Sequence, residues 1–488
     1  MIDRLQVIRF VFDNKRANLI KIYDTITTEK FEICKKKSEY QKLLFSLSWF
    51  HTILLERRKF KTLGFNIPYE FNESDFLICH DLIIVLLNEY NEVPFEAMRY
   101  LIGEANYGGR VTEDTDRRLI NVYVEQFFCP NILELENFRL SNLDEYYVPS
   151  SSELVAYKKY IHDLPHNDHP DAFGQHPNAD ISSQIENTHD LLNDILSLQQ
   201  NIYVEGKDTK QDRVQRQVEI MYEKLPEPFD MNKYESVLDA RSDPDAMKTV
   251  LHQELGRYNV LISILRQHID DLKKAIVGMI IMTTEIESMM KEILDHKVPT
   301  PWLVVYPSSK PLGSWMLDLQ RRIDQMRAWV EDCEPKVFWL GGFTYPTGLL
   351  TGILQSVARK NGVAIDTLGW GFEVFKKDVI DVEQGPEEGA YMSGIYIEGA
   401  KWDLESGTLA EPTPMELLCP LPIIHFKPTD CKKKVQSNVY NCPLYMYPIR
   451  AGSRERPSFV INVELNCGLS PQEHWVKRGV ALILSTSK

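Results

Sequence analysis

A change of sequence pattern within residues 337–371 limits the possible folds of this protein more than any other feature. Before it, apolar residues recur every three or four positions, as in amphipathic helices; after it, they alternate in short runs separated by Gly and Pro, as in strands. Inside it, Pro346 predicts the start of a helix, since the first turn tolerates a proline, and Gly362 predicts its end. The pattern predicts an α+β protein with a rigid junction, at which Leu350 and Leu354 are buried.

The first part of the sequence, residues 30–145, is predicted to be a compact helical domain. A strong helix spans residues 40–60, and its end, Glu56-Arg57-Arg58-Lys59, is interpreted as a charged, solvated turn. Three further helices are expected to begin at Asn72 or Ser74, at Pro94 and at Thr112. The Asn, Ser and Thr side chains are typical N-caps, and a proline suits a first turn.

Residues 146–364 are predicted to be largely a helical bundle, and a proline-rich, irregular connector at residues 141–181 leads into it. The longest helical tract follows Asp243-Pro244 and carries apolar residues at helical spacing up to Pro299. Gly278 is expected to divide this tract into two antiparallel helices. A coiled coil is the alternative interpretation, although glycines interrupt any sustained heptad. A further helix is expected at residues 313–330.

Residues 365–488 are predicted to form strands, because their alternating apolar residues are separated by turn residues. Six or seven strands are expected, in the segments Phe372–Phe375, Gly389–Ile397, Gly399–Trp402, Ile423–Lys427, Tyr440–Tyr447, Ser458–Leu465 and Val476–Ser485. Short strands in this number favour a small antiparallel β-barrel, with a sandwich as the alternative.

The composition argues against several classes of partner. The formal net charge is −15, so nucleic acid, other polyanions and the acidic surface of a filament are not expected as direct partners. No uncharged apolar run approaches the roughly 18 residues of a membrane helix. Arg4 and Arg9 interrupt the first apolar run too early for a signal peptide. None of the eight cysteines is at C-x-x-C spacing, so they are interpreted as reduced, cytosolic thiols.

A nucleotide-binding site is not predicted. A phosphate-binding loop needs G-x-x-x-x-G-K-[ST], because backbone N–H groups and a lysine bind the phosphates. The Gly206-Lys207 pair has Asn201 in place of the first glycine and is followed by Asp208. The turn Gly108-Gly109-Arg110 could suit an anion, but acidic residues follow it, so a helix–helix turn is the favoured interpretation.

Two groups of residues could bind a metal ion, but neither has a recognisable ligand spacing. The first is a cluster of side chains in the connector: His162, His166, His169, His176, Asp163, Asp168 and Asp171. The second is a set of three thiols: Cys419, Cys431 and Cys442. Metal ligands usually come in closely spaced pairs. A solvated loop and free thiols are therefore the favoured interpretations, and no metal site is predicted.

No arrangement of catalytic residues is recognised either. The sequence has no G-x-S-x-G elbow of a hydrolase, and acidic pairs such as Glu387-Glu388 fit solvated turns. Trp370, Trp402 and Trp475 could line a sugar-binding face of a barrel, although tryptophans in short strands usually belong to a core. The residues alone therefore predict a scaffold or regulatory protein, with no catalytic, cofactor-binding or metal-binding residue in this segment.

Ordered strings of residues resemble the C-terminal end of dynein heavy chains over nearly the whole sequence. The first, Lys15-Arg16-Ala17-Asn18-Leu19, resembles the exit from the large subdomain of the sixth AAA+ module. Strings similar to the helical lid of that module are Trp49-Phe50-His51, residues 56–60 and 63–72, and Tyr107-Gly108-Gly109-Arg110-Val111-Thr112. Later strings of the same family are Phe173-Gly174, Asn178-Ala179-Asp180-Ile181, Tyr306-Pro307-Ser308, Lys310-Pro311-Leu312, Phe338-Trp339-Leu340, Leu350-Thr351-Gly352, His474-Trp475 and residues 478–482.

The resemblance implies four parts. Residues 1–29 would be the end of a truncated AAA+ large subdomain, and residues 30–145 the helical AAA+ lid domain. Residues 146–364 would be the helical part of a C-terminal cap, and residues 365–488 its β-barrel. The sequence is then expected to be a fragment of a longer protein, and His176 belongs to a family motif rather than to a metal site.

The resemblance also implies a function. The parent protein would be a microtubule motor whose AAA+ ring hydrolyses ATP with magnesium, whereas this segment would hold no cofactor and would not be an enzyme. Its expected partners are the remainder of the ring and other dynein subunits, with the microtubule reached only through the parent protein and no contact with nucleic acid or membrane. The segment would brace the ring and regulate force coupling or processivity.

Small details of the strings indicate where such a protein works. Residues 66–72 and 103–109 resemble axonemal more than cytoplasmic heavy chains, so the axoneme of a cilium or flagellum is expected, with the cytoplasm as the alternative. Glu113 and Phe65 are departures, since the family usually has Asp and Trp there. The alternative function, from another class, is a stand-alone carbohydrate-binding or hydrolytic barrel protein.

Overall fold

The computed structural model describes residues 15–198, 210–239, 245–308, 310–376, 379–430, 438–448, 450 and 458–485. Within them, helices dominate up to residue 331 and strands dominate after residue 337, which confirms the α+β class. The start of the tract at Asp243-Pro244, the Gly206-Lys207 pair and Cys431 lie outside the described residues. None of the described helices combines the length and apolar character needed to cross a membrane.

The first helical region is built around one buried helix. Its α-helices are α1 Lys15–Thr25, α2 Thr28–Phe31, α3 Lys37–Arg57, α4 Lys61–Gly64, α5 Glu73–Glu89, α6 Phe95–Arg99, α7 Asp114–Phe127, α8 Asn131–Glu134 and α9 Leu154–Asp163. Every residue of α3 from Leu43 to Leu54 is buried. A helix buried on all sides must be surrounded by other elements, and α3 is therefore the centre against which α1, α5, α7 and α8 pack.

The caps of these helices agree only in part with the sequence. Asn72 caps α5 as predicted: its side chain accepts from the Ser74 amide at 3.0 Å, and Asp75 accepts from the Asn72 amide at 2.9 Å. The prediction for Thr112 is wrong, because Glu113 occupies the N-cap of α7. The helix expected from Pro94 continues past α6 as a π-helical turn, Tyr100–Tyr107.

The second helical region consists of α10 Pro177–Leu198, α11 Lys210–Lys224, α12 Met231–Asp239, α13 Asp245–Ile276, α14 Thr284–Leu294, α15 Thr300–Val305, α16 Leu312–Glu331 and α17 Pro346–Asn361. The helix α13, 32 residues long, ends just before Gly278, as predicted. Because α13 contacts α11, α12 and α14 to α17, it is the core of a bundle, and the coiled-coil alternative is wrong.

The junction at α17 confirms the helix predicted from Pro346 to Gly362. Leu349 and Leu350 are buried, whereas Leu354 is only partly buried, so the predicted burial of Leu354 is only partly correct. A Cβ atom on Gly352 would lie 2.7 Å from Val250 Cγ2 on α13. The absence of a side chain at Gly352 therefore lets the two helices approach closely.

The strands are β1 Val337–Trp339, β2 Leu368–Val374, β3 Ala390–Ser393, β4 Tyr396–Glu398, β5 Lys401–Asp403, β6 Thr408–Ala410, β7 Leu418–Pro420, β8 Ile424–Asp430, β9 Val439–Tyr445, β10 Phe459–Asn466 and β11 Ala481–Ile483. They form a four-stranded sheet in the order β1-β3-β8-β2, a five-stranded sheet in the order β10-β9-β11-β4-β7, and the pair β5-β6.

The predicted antiparallel β-barrel is wrong, because these sheets are not closed. A barrel needs an uninterrupted ring of paired strands, but the segment expected as one strand at residues 389–397 is divided into β3 and β4, which lie in different sheets. The pairs β1–β3 and β9–β11 are also parallel.

The segment predicted as the last strand, residues 476–485, is partly helical. The helix α18, Gln472–Arg478, precedes β11 and ends at Gly479, whose φ of 68° is left-handed. A Cβ atom on Gly479 would lie 2.2 Å from the carbonyl oxygen of Leu63. This glycine therefore brings the end of α18 into direct contact with the first helical region.

Candidate functional site

The last turn of α3 is buried, although its charged sequence, Glu56 to Lys59, predicted a solvated turn. Glu56 is 2% exposed and Arg57 is fully buried. The connector and α18 cover this turn, and both come from much later in the sequence. The prediction of solvation is therefore wrong, and the buried guanidinium at this turn is the centre of the candidate site.

The guanidinium of Arg57 donates to five oxygens, none of them a carboxylate. Nε donates to Gly64 O at 3.2 Å and Nη2 to Leu63 O at 3.1 Å. The three acceptors of Nη1 are the hydroxyl of Tyr123 at 2.8 Å, Phe173 O at 2.9 Å and Lys477 O at 3.0 Å. We call Arg57, Leu63, Tyr123, Phe173 and Lys477 the arginine node.

The carbonyls of the arginine node share one property, which is that they end helices. Leu63 and Gly64 end α4, Phe173 ends the 3-10 helix Pro170–Phe173, and Lys477 lies in the last turn of α18. Carbonyls at helix C-termini lack intrahelical partners and carry partial negative charge. They can therefore compensate a buried cation. Burial lowers the pKa of Arg57, and Tyr123 opposes this effect, but a guanidinium stays charged in proteins.

A glutamine from the connector reinforces the same contact. The side-chain amide of Gln175 donates to Leu63 O at 2.6 Å and to Lys477 O at 3.1 Å. Gly174 precedes it with a left-handed φ of 71°, and a Cβ there would lie 2.8 Å from Lys477 Cβ. The connector is thus clamped between α4 and α18 by polar contacts and close backbone approach.

A second buried arginine joins the loop after α4 to the five-stranded sheet. Arg450 pairs with Glu398 and donates to Gly479 O at 3.1 Å and to Asn66 Oδ1 at 3.3 Å. Asp116 in α7 accepts from the amide of Asn66 at 3.0 Å. Burial raises the pKa of Asp116 to about 6, although its hydrogen bonds and Arg450 oppose this. The site as a whole is therefore a polar joint between the helices α3, α4 and α7 and the C-terminal sheets.

Comparison with known families identifies the domain on each side of this joint. A profile of the AAA lid domain of the dynein heavy chain matches residues 40–179, and a profile of the C-terminal domain of the dynein heavy chain matches residues 185–484. This protein belongs to the dynein heavy chain family. The arginine node therefore links a dynein AAA lid to a dynein C-terminal domain.

Three curated relatives illustrate the dynein similarity. The flagellar inner arm I1 complex dynein-1-beta heavy chain of Chlamydomonas reinhardtii is 46% identical over 474 residues, which is 96% of this sequence and 10% of the relative. Dynein axonemal heavy chain 2 of Mus musculus is 44% identical over 96% of this sequence and 11% of its own length. Dynein axonemal heavy chain 1 of Homo sapiens is 39% identical with the same coverage. The sequence thus spans about a tenth of these relatives, and nothing in the matches supports a carbohydrate-binding protein.

Members of the His and Asp cluster of this dynein segment make separate structural contacts. Asp168 pairs with Lys15, and Asp171 pairs with Arg478. Ring nitrogens of His169 and His176 each accept an amide two residues later, which caps a local turn. No group of three potential metal ligands occurs in the part of the protein that the structure describes.

The remaining sequence candidates also have structural contacts. Arg110 pairs with Asp75 at 2.8 Å, in keeping with the helix–helix turn. Cys419 and Cys442 are buried, and burial raises the pKa of each thiol to about 12. Trp475 is buried in α18, not in a strand, and its indole donates to Cys467 O at 3.1 Å. Trp370 and Trp402 are partly buried.

Sequence reasoning missed Arg57, but a signal for it exists. Leu43, Leu47, Phe50, Leu54 and Arg57 follow one another at spacings of four and three residues. Such spacing places all five on one face of a helix. A cation that continues an apolar face is expected to enter the core with that face. Arg58 is four residues after Leu54 and lies beside the same face, so the spacing alone does not show which of the two arginines is buried. No comparable local signal identifies Gln175 or Lys477.

Proposed function

We propose that this protein is the lid of the sixth AAA+ module and the C-terminal cap of an axonemal dynein heavy chain, and that it couples motion mechanically rather than catalysing a reaction. The observation that carries the proposal is the arginine node. A buried cation that joins α3, the connector and α18 restricts their relative movement, because a shift of any one of them would leave a buried donor or acceptor unpaired. A displacement of the lid is therefore passed to the C-terminal sheets.

The proposed parts are residues 1–29 as the end of an AAA+ large subdomain, 30–145 as the lid, 146–364 as the helical part of the cap and 365–488 as its sheet part. The family matches to residues 40–179 and 185–484 support the order of a lid followed by a C-terminal cap. The last part is proposed as open sheets in place of the expected barrel.

The parent protein is proposed to be an ATP-driven microtubule motor located in the axoneme of a cilium or flagellum. Support comes from the relatives, whose names describe axonemal or flagellar dynein heavy chains. ATP and magnesium would bind elsewhere in the ring of the parent. The proposed partners of this segment are the remainder of that ring and other dynein subunits, and its proposed role is to brace the ring and tune force coupling or processivity.

The non-catalytic role predicts that this segment does not bind nucleotide. Isothermal titration calorimetry of the 488-residue protein with Mg-ATP should give no binding heat, because the sequence offers no loop that could bind the phosphates. Binding at micromolar concentration would overturn the proposal that this segment lacks a cofactor site.

The coupling role predicts a specific defect in the whole motor. In a full-length heavy chain, Arg57→Met should slow microtubule gliding by a larger factor than it slows ATP hydrolysis, because motion of the lid would no longer be passed fully to the C-terminal sheets. Arg58→Met, at the adjacent position outside the node, is the matched control. Equal loss of both activities, or no loss, would argue against coupling through Arg57.

A further inference from the structure

A further buried cation, Lys15, is the first residue that the structure describes. Lys15 is fully buried, and its ammonium lies 3.1 Å from Asp168 Oδ1. The other oxygen of Asp168 accepts from the Lys15 backbone amide at 2.9 Å. Asp168 thus binds both the side chain of Lys15 and the N-terminal end of α1, where helix geometry favours an anion.

Aromatic rings enclose the same ammonium. Lys15 Nζ lies 3.6 Å from the ring centroid of Tyr146 and 5.3 Å from the centroids of both Trp49 and Phe173. A cation within about 6 Å of an aromatic face is attracted to it, and most strongly where water is excluded. Burial lowers the pKa of Lys15, and Asp168 opposes this effect. We call Trp49, Tyr146, Asp168 and Phe173 the lysine cage.

Phe173 belongs to both the lysine cage and the arginine node. Its ring faces Lys15, while its carbonyl oxygen accepts from Arg57 at 2.9 Å and from the hydroxyl of Tyr123. One residue of the connector therefore contacts the two buried cations with two different groups. Phe173 is 2% exposed, so its ring has little room to turn, and we expect a shift of the ring to move the carbonyl that binds Arg57. The Nη1 atom of Arg57 in turn donates to Lys477 O.

The end of α3 also links α1 directly to the arginine node. Glu56 is adjacent to Arg57, and its carboxylate accepts from the side-chain amide of Asn18 at 2.8 Å. Asn18 lies one turn beyond Lys15 on α1. Two neighbouring residues of α3 therefore contact opposite partners, with Glu56 bound to α1 and Arg57 bound to α18.

We propose that residues 164–176 of the connector act as a strut that transmits the position of α1 to α18, with Phe173 joining the lysine cage to the arginine node. Displacement of Lys15 from its cage would loosen the end of α18, although the two lie on opposite sides of Phe173. The proposal rests on the coupling function proposed above, but its test uses the isolated 488-residue protein and is decided without a motor assay.

Hydrogen–deuterium exchange of the 488-residue protein tests the strut. Lys15→Met keeps an unbranched side chain, one atom shorter, and removes its charge. Lys21→Met, at an exposed position of α1, is the matched control. Lys15→Met should accelerate exchange about tenfold both in the connector and in residues 472–480, whereas the control should leave both unchanged. Acceleration confined to α1 and the connector would overturn the proposal.

A second variant separates the two roles of Phe173. Phe173→Leu removes the ring from the lysine cage and retains the carbonyl that Arg57 binds, so it should produce the same acceleration in residues 472–480. If Lys15 and Phe173 act in one path, the double variant should accelerate exchange there no more than either single change. Additive acceleration, or an effect of Phe173→Leu on α1 alone, would overturn the strut.

Discussion

Two junctions hold this protein together, and each contains a buried charge at a helix end. At the arginine node, Arg57 binds carbonyls at the C-terminal ends of three helices. At the junction of α13 and α17, Glu254 is 1% exposed and accepts from the Thr344 and Tyr345 amides at 2.8 and 3.1 Å, just before α17 begins. Cations suit helix C-termini and anions suit N-termini, so both charges have the sign that the helix ends favour.

The surroundings of the two charges differ. Glu254 lies on α13, which packs against α17 close to Gly352, and the leucines Leu349 and Leu350 of α17 are buried. The charge of Glu254 is paired with Arg257 at 2.7 Å. Arg57 is surrounded by further polar contacts from Gln175, and no carboxylate pairs with it among the described residues. Apolar packing is non-directional, whereas hydrogen bonds hold only within a narrow geometry. The junction of α13 and α17 is suited to stability, and the arginine node to a fixed orientation between two regions.

The largest effect is expected at the arginine node. Arg57→Met should lower the free energy of unfolding by about 4 kcal/mol, because several buried carbonyls lose their donor at once. Arg58→Met should cost about 1 kcal/mol or less, because Arg58 is only partly buried and its Nε donates to a single local carbonyl, Leu55 O, at 3.3 Å. Urea denaturation followed by circular dichroism measures both. Similar small losses for the two variants would mean that the node does not differ energetically from a solvated turn.

The stability of the junction of α13 and α17 should depend on the size of its buried side chains. Leu350→Ala should cost about 3 kcal/mol, as for a buried leucine, because a cavity remains in the core beside α17. Leu354→Ala should cost about 1 kcal/mol, since its partly exposed site already contacts solvent. The same denaturation experiment compares them. A loss below about 1 kcal/mol for Leu350→Ala would indicate a loose junction.

The smallest effect is a dependence of stability on pH. It is expected for the polar joint, which contains Asp116, and not for the junction of α13 and α17. Burial raises the pKa of Asp116 from 3.8 to about 6, so its contribution to stability is present below pH 3.8 and is lost as the pH rises through 6. Between pH 4 and pH 7 the wild type should lose about 2 kcal/mol more than Asp116→Asn. The effect of Leu350→Ala should be constant over this range. A wild type that gains stability relative to Asp116→Asn would contradict the assigned direction.

The sequence predicted elements whose signals are local. The helix from Pro346 to Asn361, the capping box at Asn72 and the break before Gly278 all depend on a few neighbouring residues. The closure of the sheets could not be predicted, because pairing joins strands that are distant in sequence. The strand β1, for example, pairs with β3 across more than fifty residues.

The candidate site was predictable only in part. The spacing that continues from Leu54 to Arg57 places this arginine on the apolar face of α3, but the acceptors come from residues 63, 123, 173 and 477. The His and Asp cluster was interpreted as a solvated loop, but Asp168 and Asp171 pair with Lys15 and Arg478, which come from distant parts of the sequence.

The sequence by itself determined the α+β class, the position of most helices and membership of the dynein family, because periodicity, caps and ordered motifs are properties of neighbouring residues. Only the tertiary structure decided that the sheets stay open, that Arg57 and Lys15 are buried, and that Phe173 lies between them. Arg57 and Lys477 are 420 positions apart, and the removal of a charge from water depends on whichever distant segment comes to cover it. That covering is a property of the fold and has no local signature.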